Sequence, residues 1–346
     1  MRRKAEIIER ALQKQPTGRL PCFPLIDIAF ASSYLERPLR EVQLDPRLHA
    51  QALAKCVREL PVDGIYLNLC LDSGQGERID ASECVVDESL HLIIPENDVL
   101  SIAATQIDSL NDPRIVTAEL FHPGMLATFE SLEPEIKDNY AVAVGLTGTF
   151  SQLAFLMGIS ECMIALLDRP ERVRQALDTR HRIVLRQVRQ LCEAGARLIW
   201  IGEGLGSGSL ISPQQYRNFV LPYEIELAEE IRKNGALSLL HICGNVTQAL
   251  PDIAQSRADG FDLDYPVDLA AALRELLPQV AVKGNINPQL FLPGFGEQLE
   301  QSCREARDIG GEKPGFILST GCLVPRDSSV EAFHIMADIC GCNTDN

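Results

Sequence analysis

The residues best placed to do chemistry lie in Leu237–Asn245, which reads Leu-Ser-Leu-Leu-His-Ile-Cys-Gly-Asn. In an extended segment alternate side chains share a face, so His241 and Cys243 point the same way. An imidazole and a thiol side by side are borderline-soft donors that suit Zn²⁺. A third donor, Cys322, follows the apolar run Phe316-Ile317-Leu318. His-x-Cys alone is a weak signal; the distant cysteine at a second strand end strengthens it. Two thiolates on zinc donate strongly, leaving a poor activator of water but a good holder of an incoming thiol as thiolate. The chemistry implied is attack by a zinc-bound substrate thiolate on an electrophilic carbon, most simply a methyl group.

The elements that must position these donors alternate. Strands are expected near residues 25, 66, 143, 200, 239, 262, 282 and 317, with helices in most intervals. Among them are helices over 3–15, Pro46–Leu60, Phe150–Leu167, Pro170–Ala194, Pro213–Asn234 (Ser212 as N-cap) and Ser328–Cys340. Eight such units in 346 residues favour a (β/α)₈ TIM barrel with an N-terminal helical extension and an insertion after the second strand. No Gly-x-Gly-x-x-Gly turn follows the first strand, which argues against a dinucleotide fold. The chain reads as one barrel domain over 1–346. Residues 71–139 form an irregular excursion, with a hairpin (Glu83–Asp87, His91–Pro95) and a helix (Asp98–Leu110), that covers the barrel mouth.

Composition narrows the function. The formal charge is −16 and the pI about 4.9, so no basic stripe is available to nucleic acid, and polyanionic substrates are disfavoured. The eleven cysteines are odd in number and scattered through apolar runs, as small buried hydrophobes would be. The Cys340-Gly341-Cys342 pair, with no histidine at ligand spacing, reads as tail. No signal core opens the sequence, and Gly145–Thr149 breaks the uncharged run Tyr140–Ser160 into a strand and a helix rather than a membrane span. The expectation is a cytoplasmic, reduced protein.

In a barrel of this kind the active site forms at the C-terminal strand ends. The polar residues there are Asp27, Asn68, Glu203, His241, Cys243, Asp264, Asn285 and Cys322. Three zinc donors leave an open position, the catalytic rather than the structural pattern. Glu203, on the strand before His241, is the candidate fourth ligand, exchanging with substrate. Glu203, Asp264 and Asn285 are the candidates for catalytic roles, although a strand-end acid or amide also serves simply to orient loops.

These residues resemble those of a known family. His241-x-Cys243 with Cys322 is similar to the zinc motif of the methylcobalamin:coenzyme M methyltransferases, a branch of the uroporphyrinogen decarboxylase superfamily. Gly145–Phe150 with Leu156-Met157-Gly158, Gly208–Pro213 and Lys283–Pro288 support the resemblance. It implies a (β/α)₈ barrel, zinc on His241, Cys243 and Cys322, and an acidic residue at Glu203. It also implies methyl transfer between methylcobalamin on a separate corrinoid protein and a thiol, since the chain has no Asp-x-His-x-x-Gly cobalamin motif. Three alternatives stand beside it. The first is a demethylase-side enzyme loading the corrinoid protein from a methoxylated or methylamine substrate. The second is a metal-free decarboxylase-like enzyme, disfavoured because Leu25–Phe30 has no arginine to hold substrate carboxylates. The third is a binding protein with a structural zinc.

Overall fold

The computed structural model describes residues 3–68, 123–311 and 313–342. The expected hairpin and the helix over Asp98–Leu110 lie outside the described residues.

Among the described residues, seven strands form one all-parallel sheet in sequential order: β1 (Gly64–Leu67), β2 (Ala141–Thr147), β3 (Leu198–Gly202), β4 (Leu237–Ile242), β5 (Gly260–Leu263), β6 (Ala281–Ile286) and β7 (Phe316–Thr320). Sequential order with crossover helices is what right-handed βαβ units give. The helices in chain order are α1 (Lys4–Leu12), α2 (Ile28–Tyr34), α3 (Leu39–Leu44), α4 (Pro46–Glu59), α5 (Pro123–Ser131) and α6 (Pro134–Asn139). Then come α7 (Thr149–Met157), α8 (Ile159–Asp168), α9 (Pro170–Glu193), α10 (Pro213–Phe219), α11 (Leu221–Lys233), α12 (Leu250–Ile253), α13 (Leu269–Leu276), α14 (Gly296–Gly310) and α15 (Val330–Cys340).

The expected eighth strand near residue 25 is not a strand. The segment 21–26 makes only two isolated parallel bridges, Cys22 to Leu318 and Leu25 to Leu323. Pro21 and Pro24 have no N–H to give a ladder, which confines regular pairing elsewhere. The segment nonetheless joins the two sheet edges. Phe23 N–H donates to Leu318 O and, on the other side, Asp63 N–H donates to Cys22 O. Asp63 reinforces this seam: its buried carboxylate takes a bidentate pair from Arg19 at 2.8 and 2.6 Å and the N–H of Cys22 at 2.8 Å.

Nor is α1 an extension. Its apolar residues Ile8, Ala11 and Leu12 recur at helical spacing and pack into the ring against Phe23, Ala143 and Leu239. A Cβ at Gly260 would sit 2.5 Å from Leu12 Cδ2, so the absence of a side chain there makes room for the helix. Burying each such leucine or isoleucine contributes about 2 kcal/mol. The part of the expected excursion that is described is regular: α5 packs on α4 and α6 on α1. Two long helices of the sequence reading are split. The first bends by 106° at Gly158 between α7 and α8. The second breaks at Val220, just before Leu221-Pro222, because the Pro222 ring removes a helical donor and crowds the preceding turn. Ser212 caps α10 in a capping box with Gln215, as its position predicts. No single helix among the described residues is long and apolar enough to cross a membrane.

Candidate metal centre

Gly202, His241, Asp262, Lys283 and Ile317 are successive register partners across β3 to β7. They define the level at which the ring interior turns from apolar to polar. Lys283, fully buried, donates from Nζ to Asp262 Oδ1 at 2.8 Å and to Ser319 Oγ at 2.7 Å, and lies over the Phe23 ring. Trp200 Nε1 donates to the other Asp262 oxygen at 2.9 Å. The indole stacks on the His241 imidazole with ring centroids 5.0 Å apart. Burial pushes the Lys283 amine down and the Asp262 carboxylate pushes it back up, burial being the larger.

His241 is buried at the end of β4, and its Nδ1 lies 2.9 Å from the backbone O of Asp262. A donor bond there fixes the tautomer that leaves an Nε2 lone pair for a metal. Nε2 faces Cys243 Sγ at 3.2 Å. His241, Cys243 and Cys322 bring one donor atom each to within 4.8 Å of the others, the one such group among the described residues. A nitrogen and two sulfurs on one small locus fit a zinc ion. Cys243 is exposed and Cys322 partly so, which leaves a side open to a small molecule. The donors polarise one another. Cys322 donating to Cys243 lowers the Cys243 thiol and raises its own, with burial adding to the latter. Burial disfavours a charged His241, but Cys322 and Asp262 outweigh it and lift the imidazole to about 9.

The loops behind these donors are fixed by two other residues of the sequence reading. Asp264 Oδ2 accepts the N–H of Gly244, where φ is +78°, and Oδ1 accepts that of Tyr265 at 2.7 Å. The left-handed turn that lets the chain leave the site right after Cys243 therefore needs glycine. Asn285 Nδ2 donates to Asp264 O at 3.3 Å and Val267 O at 2.7 Å, holding the loop after β5.

Glu203 is not brought into the donor group. It follows β3, and its N–H bonds His241 O at 2.8 Å. Its carboxylate turns to the start of α7, accepting from Ser151 N at 2.6 Å and Phe150 N at 3.3 Å. A helix N-terminus is a natural seat for a carboxylate. Burial raises its pKa to about 7 against those hydrogen bonds. Asp27 likewise caps α2 through Ala29 and Phe30, with burial lifting it to about 6. Asn68, at the end of β1, keeps a buried Oδ1 that has no hydrogen-bond partner among the described residues.

Sequence reasoning missed the Trp200–Asp262–Lys283 layer. A signal was present: single charged residues of opposite sign interrupt two neighbouring apolar strands, Phe261-Asp262-Leu263 and Val282-Lys283-Gly284. Buried charges of that kind require partners.

Comparison with known proteins agrees with this architecture. Over residues 3–341 the chain matches the sequence model of uroporphyrinogen decarboxylase (URO-D). It is 23% identical over 228 residues to the methylcobamide:CoM methyltransferase MtaA of Methanosarcina barkeri, covering 64% of this chain and 65% of the relative. It is 26% identical to a methylated-thiol–coenzyme M methyltransferase of Methanosarcina mazei, covering 63% and 58%. The chain thus spans less than two thirds of the length of these two enzymes. A uroporphyrinogen decarboxylase of Coxiella burnetii is 24% identical over 96% of this chain and 93% of its own. A solved methyltransferase from Methanosarcina mazei superposes with a TM-score of 0.79 over 99% of both chains at 17% identity, which speaks to the fold. The chain belongs to the uroporphyrinogen decarboxylase family.

Proposed function

We propose that this protein is a zinc-dependent methyltransferase, moving a methyl group between methylcobalamin on a separate corrinoid protein and a thiol. The observation that carries the reading is the convergence of His241, Cys243 and Cys322 donors within 4.8 Å at the strand ends. Relatives named for methyl transfer to coenzyme M, one from methylcobamide and one from a methylated thiol, support it. The whole chain serves as one barrel domain. Zinc on these three residues would lower the pKa of an incoming thiol and so supply a nucleophile at neutral pH.

The chain's own residues prepare that site. The Asp262 carbonyl orients His241, and the Trp200 indole packs flat against its ring. Asp264 and Asn285 act as positioning residues, fixing the turn after Cys243 and the loop facing it. Glu203 holds the first turn of α7 beside the centre. To serve as a fourth ligand it would have to give up the N–H groups of Phe150 and Ser151.

A decarboxylase-like reading has the full-length Coxiella relative in its favour. It calls for cations free to hold substrate carboxylates. Among the described residues, Lys283 is the cation inside the ring, and it is fully buried and spent on Asp262 and Ser319.

The deciding experiment is metal analysis of protein purified without added zinc, beside Cys322→Ala. About one zinc per chain is expected, with affinity falling more than about a hundredfold in the variant, beyond the usual loss for an outer-sphere partner. Thiol-dependent demethylation of added methylcobalamin should fall with it. A wild type that binds no zinc would bring the decarboxylase-like reading forward. Product analysis starting from methylated and from demethylated corrinoid protein distinguishes acceptor-side from demethylase-side transfer.

A further inference from the structure

Of the nine cysteines among the described residues, Cys243 alone is exposed. Even Cys340 and Cys342, expected from the sequence to be tail, are buried at the end of α15. The donor group is therefore approached from the side of Cys243, with His241 buried beneath it and Cys322 half-buried. What stands on that side is set by register. Gly202 pairs with His241 across β3 and β4, so two residues further on Gly204 comes level with Cys243. A Cβ built on Gly204 would lie 3.6 Å from Cys243 Sγ. Chain neighbours aside, it would meet no other atom of the described residues within 4 Å.

The other glycines of this loop have packing reasons to be glycine. At Gly206 a Cβ would crowd Glu203 Cγ and Val220 Cγ1 at 3.3 and 3.4 Å, and at Gly208 it would press on Asn245 O at 2.8 Å. Gly204 has neither a crowded neighbour nor a left-handed backbone to demand it. Its missing side chain leaves open space against the one exposed thiol. That space has a fixed wall. Glu203 N–H donates to His241 O at 2.8 Å, Gly206 N–H to Glu203 O at 2.8 Å, and Leu205 N–H to Ser151 Oγ at 3.1 Å. The backbone at Gly204 is thus tied on both sides and cannot yield as a rotating side chain would.

We propose that Gly204 determines which thiols the donor group accepts, its bare Cα leaving the room beside Cys243 in which the carbon chain of an alkyl thiol lies. This rests on the methyltransferase reading above. A thiol taken as fourth ligand of a tetrahedral centre is a neighbour of every protein donor, and Cys243 is the donor with open space beside it. The acceptor's first carbon then passes Gly204, so branching at that carbon is what the residue senses. Glycine admits a branched carbon. A side chain at this position restricts the site to unbranched primary thiols, because the tied backbone cannot move aside. One methyl group more or less in a closed pocket changes discrimination by roughly 10–200-fold.

Two measurements on the full chain test this, one of them without metal. Metal-free wild type, Gly204→Ala and Gly204→Val are alkylated with iodoacetamide and with the bulkier N-phenylmaleimide, and labelling of Cys243 and Cys322 is followed by peptide mapping. Relative to Cys322, Cys243 in Gly204→Val is expected to slow roughly tenfold or more with the maleimide and less with iodoacetamide, Gly204→Ala falling between. Cobalt-loaded protein is then titrated with ethanethiol and 2-propanethiol, the visible absorption of the metal reporting thiol binding. The wild type should bind both with similar affinity. Gly204→Val should lose roughly tenfold or more for 2-propanethiol while ethanethiol changes much less. Alkylation rates that ignore residue 204, or two thiols weakened by the same factor, would overturn the proposal and leave the metal site standing. A wild type that takes up no metal would sink the acceptor role together with the methyltransferase reading. Gly204→Ala, a change the backbone accepts, keeps both measurements decisive where the valine variant does not fold.

Discussion

The two ends of the ring interior are built on opposite principles. Toward the strand N-termini the lumen is filled by Ile8, Ala11 and Leu12 of α1 against Phe23, Ala143 and Leu239, with no charge among them. One level up, Trp200, Asp262, Lys283 and Ser319 fill the same lumen with hydrogen bonds, and His241, Cys243 and Cys322 stand at its rim. An apolar plug tolerates any partner of the right volume, whereas each member of a buried polar layer depends on a particular neighbour. The stable end anchors the barrel. The polar end fixes the His241 ring.

The sharpest way to break the contrast is Lys283→Met. It leaves the buried Asp262 carboxylate without its cation and is expected to cost about 3–5 kcal/mol in denaturant unfolding. Adding Asp262→Asn should recover most of that loss, because the stranded charge is gone; a double variant no better than the single would show that the pair matters only by packing.

Leu12→Ala, at the other end, is expected to cost about 2–4 kcal/mol through the cavity it opens. Zinc binding should be untouched at temperatures where the variant stays folded. No second polar change should restore it, in contrast to the Lys283 pair. A Leu12→Ala protein that loses zinc while folded would mean that the two ends are coupled.

A third effect, visible only in acid, belongs to neither end. His49, fully buried between α4 and α5 beside Thr128, has its imidazole pushed down to about 3 by burial. Its folded pKa is below the unfolded value, so its contribution is intact above about pH 6.5 and is lost as pH falls towards 3. The expected slope is about 1.4 kcal/mol per pH unit in that window, and His49→Gln should remove it. A slope that survives the substitution would assign the acid sensitivity elsewhere, Asp27 and Glu203 being raised carboxyls whose effect has the opposite sign.

What could be read from the sequence followed from period and punctuation. Strands β2 to β7 are short apolar runs between turn residues, and the three candidate metal donors are legible because strand ends converge in a parallel ring. The first strand misled because Pro21 and Pro24 fit an extended chain yet withhold ladder donors. The α10–α11 break was signalled by Pro222, while α7–α8 looks continuous by composition and is turned by packing at Gly158. Asp262 meeting Lys283 needed the register, which no local pattern encodes.

The seam also sets a timetable for synthesis. Leu25 N–H bonds Thr320 Oγ1 across 295 residues, so the ring closes only after residue 320 has emerged. Contacts of such separation form late and slowly. Cys322 lies two residues past Thr320. A nascent chain therefore carries His241 and Cys243 for some time before Cys322 joins them, so the complete donor group and the closed ring arrive together.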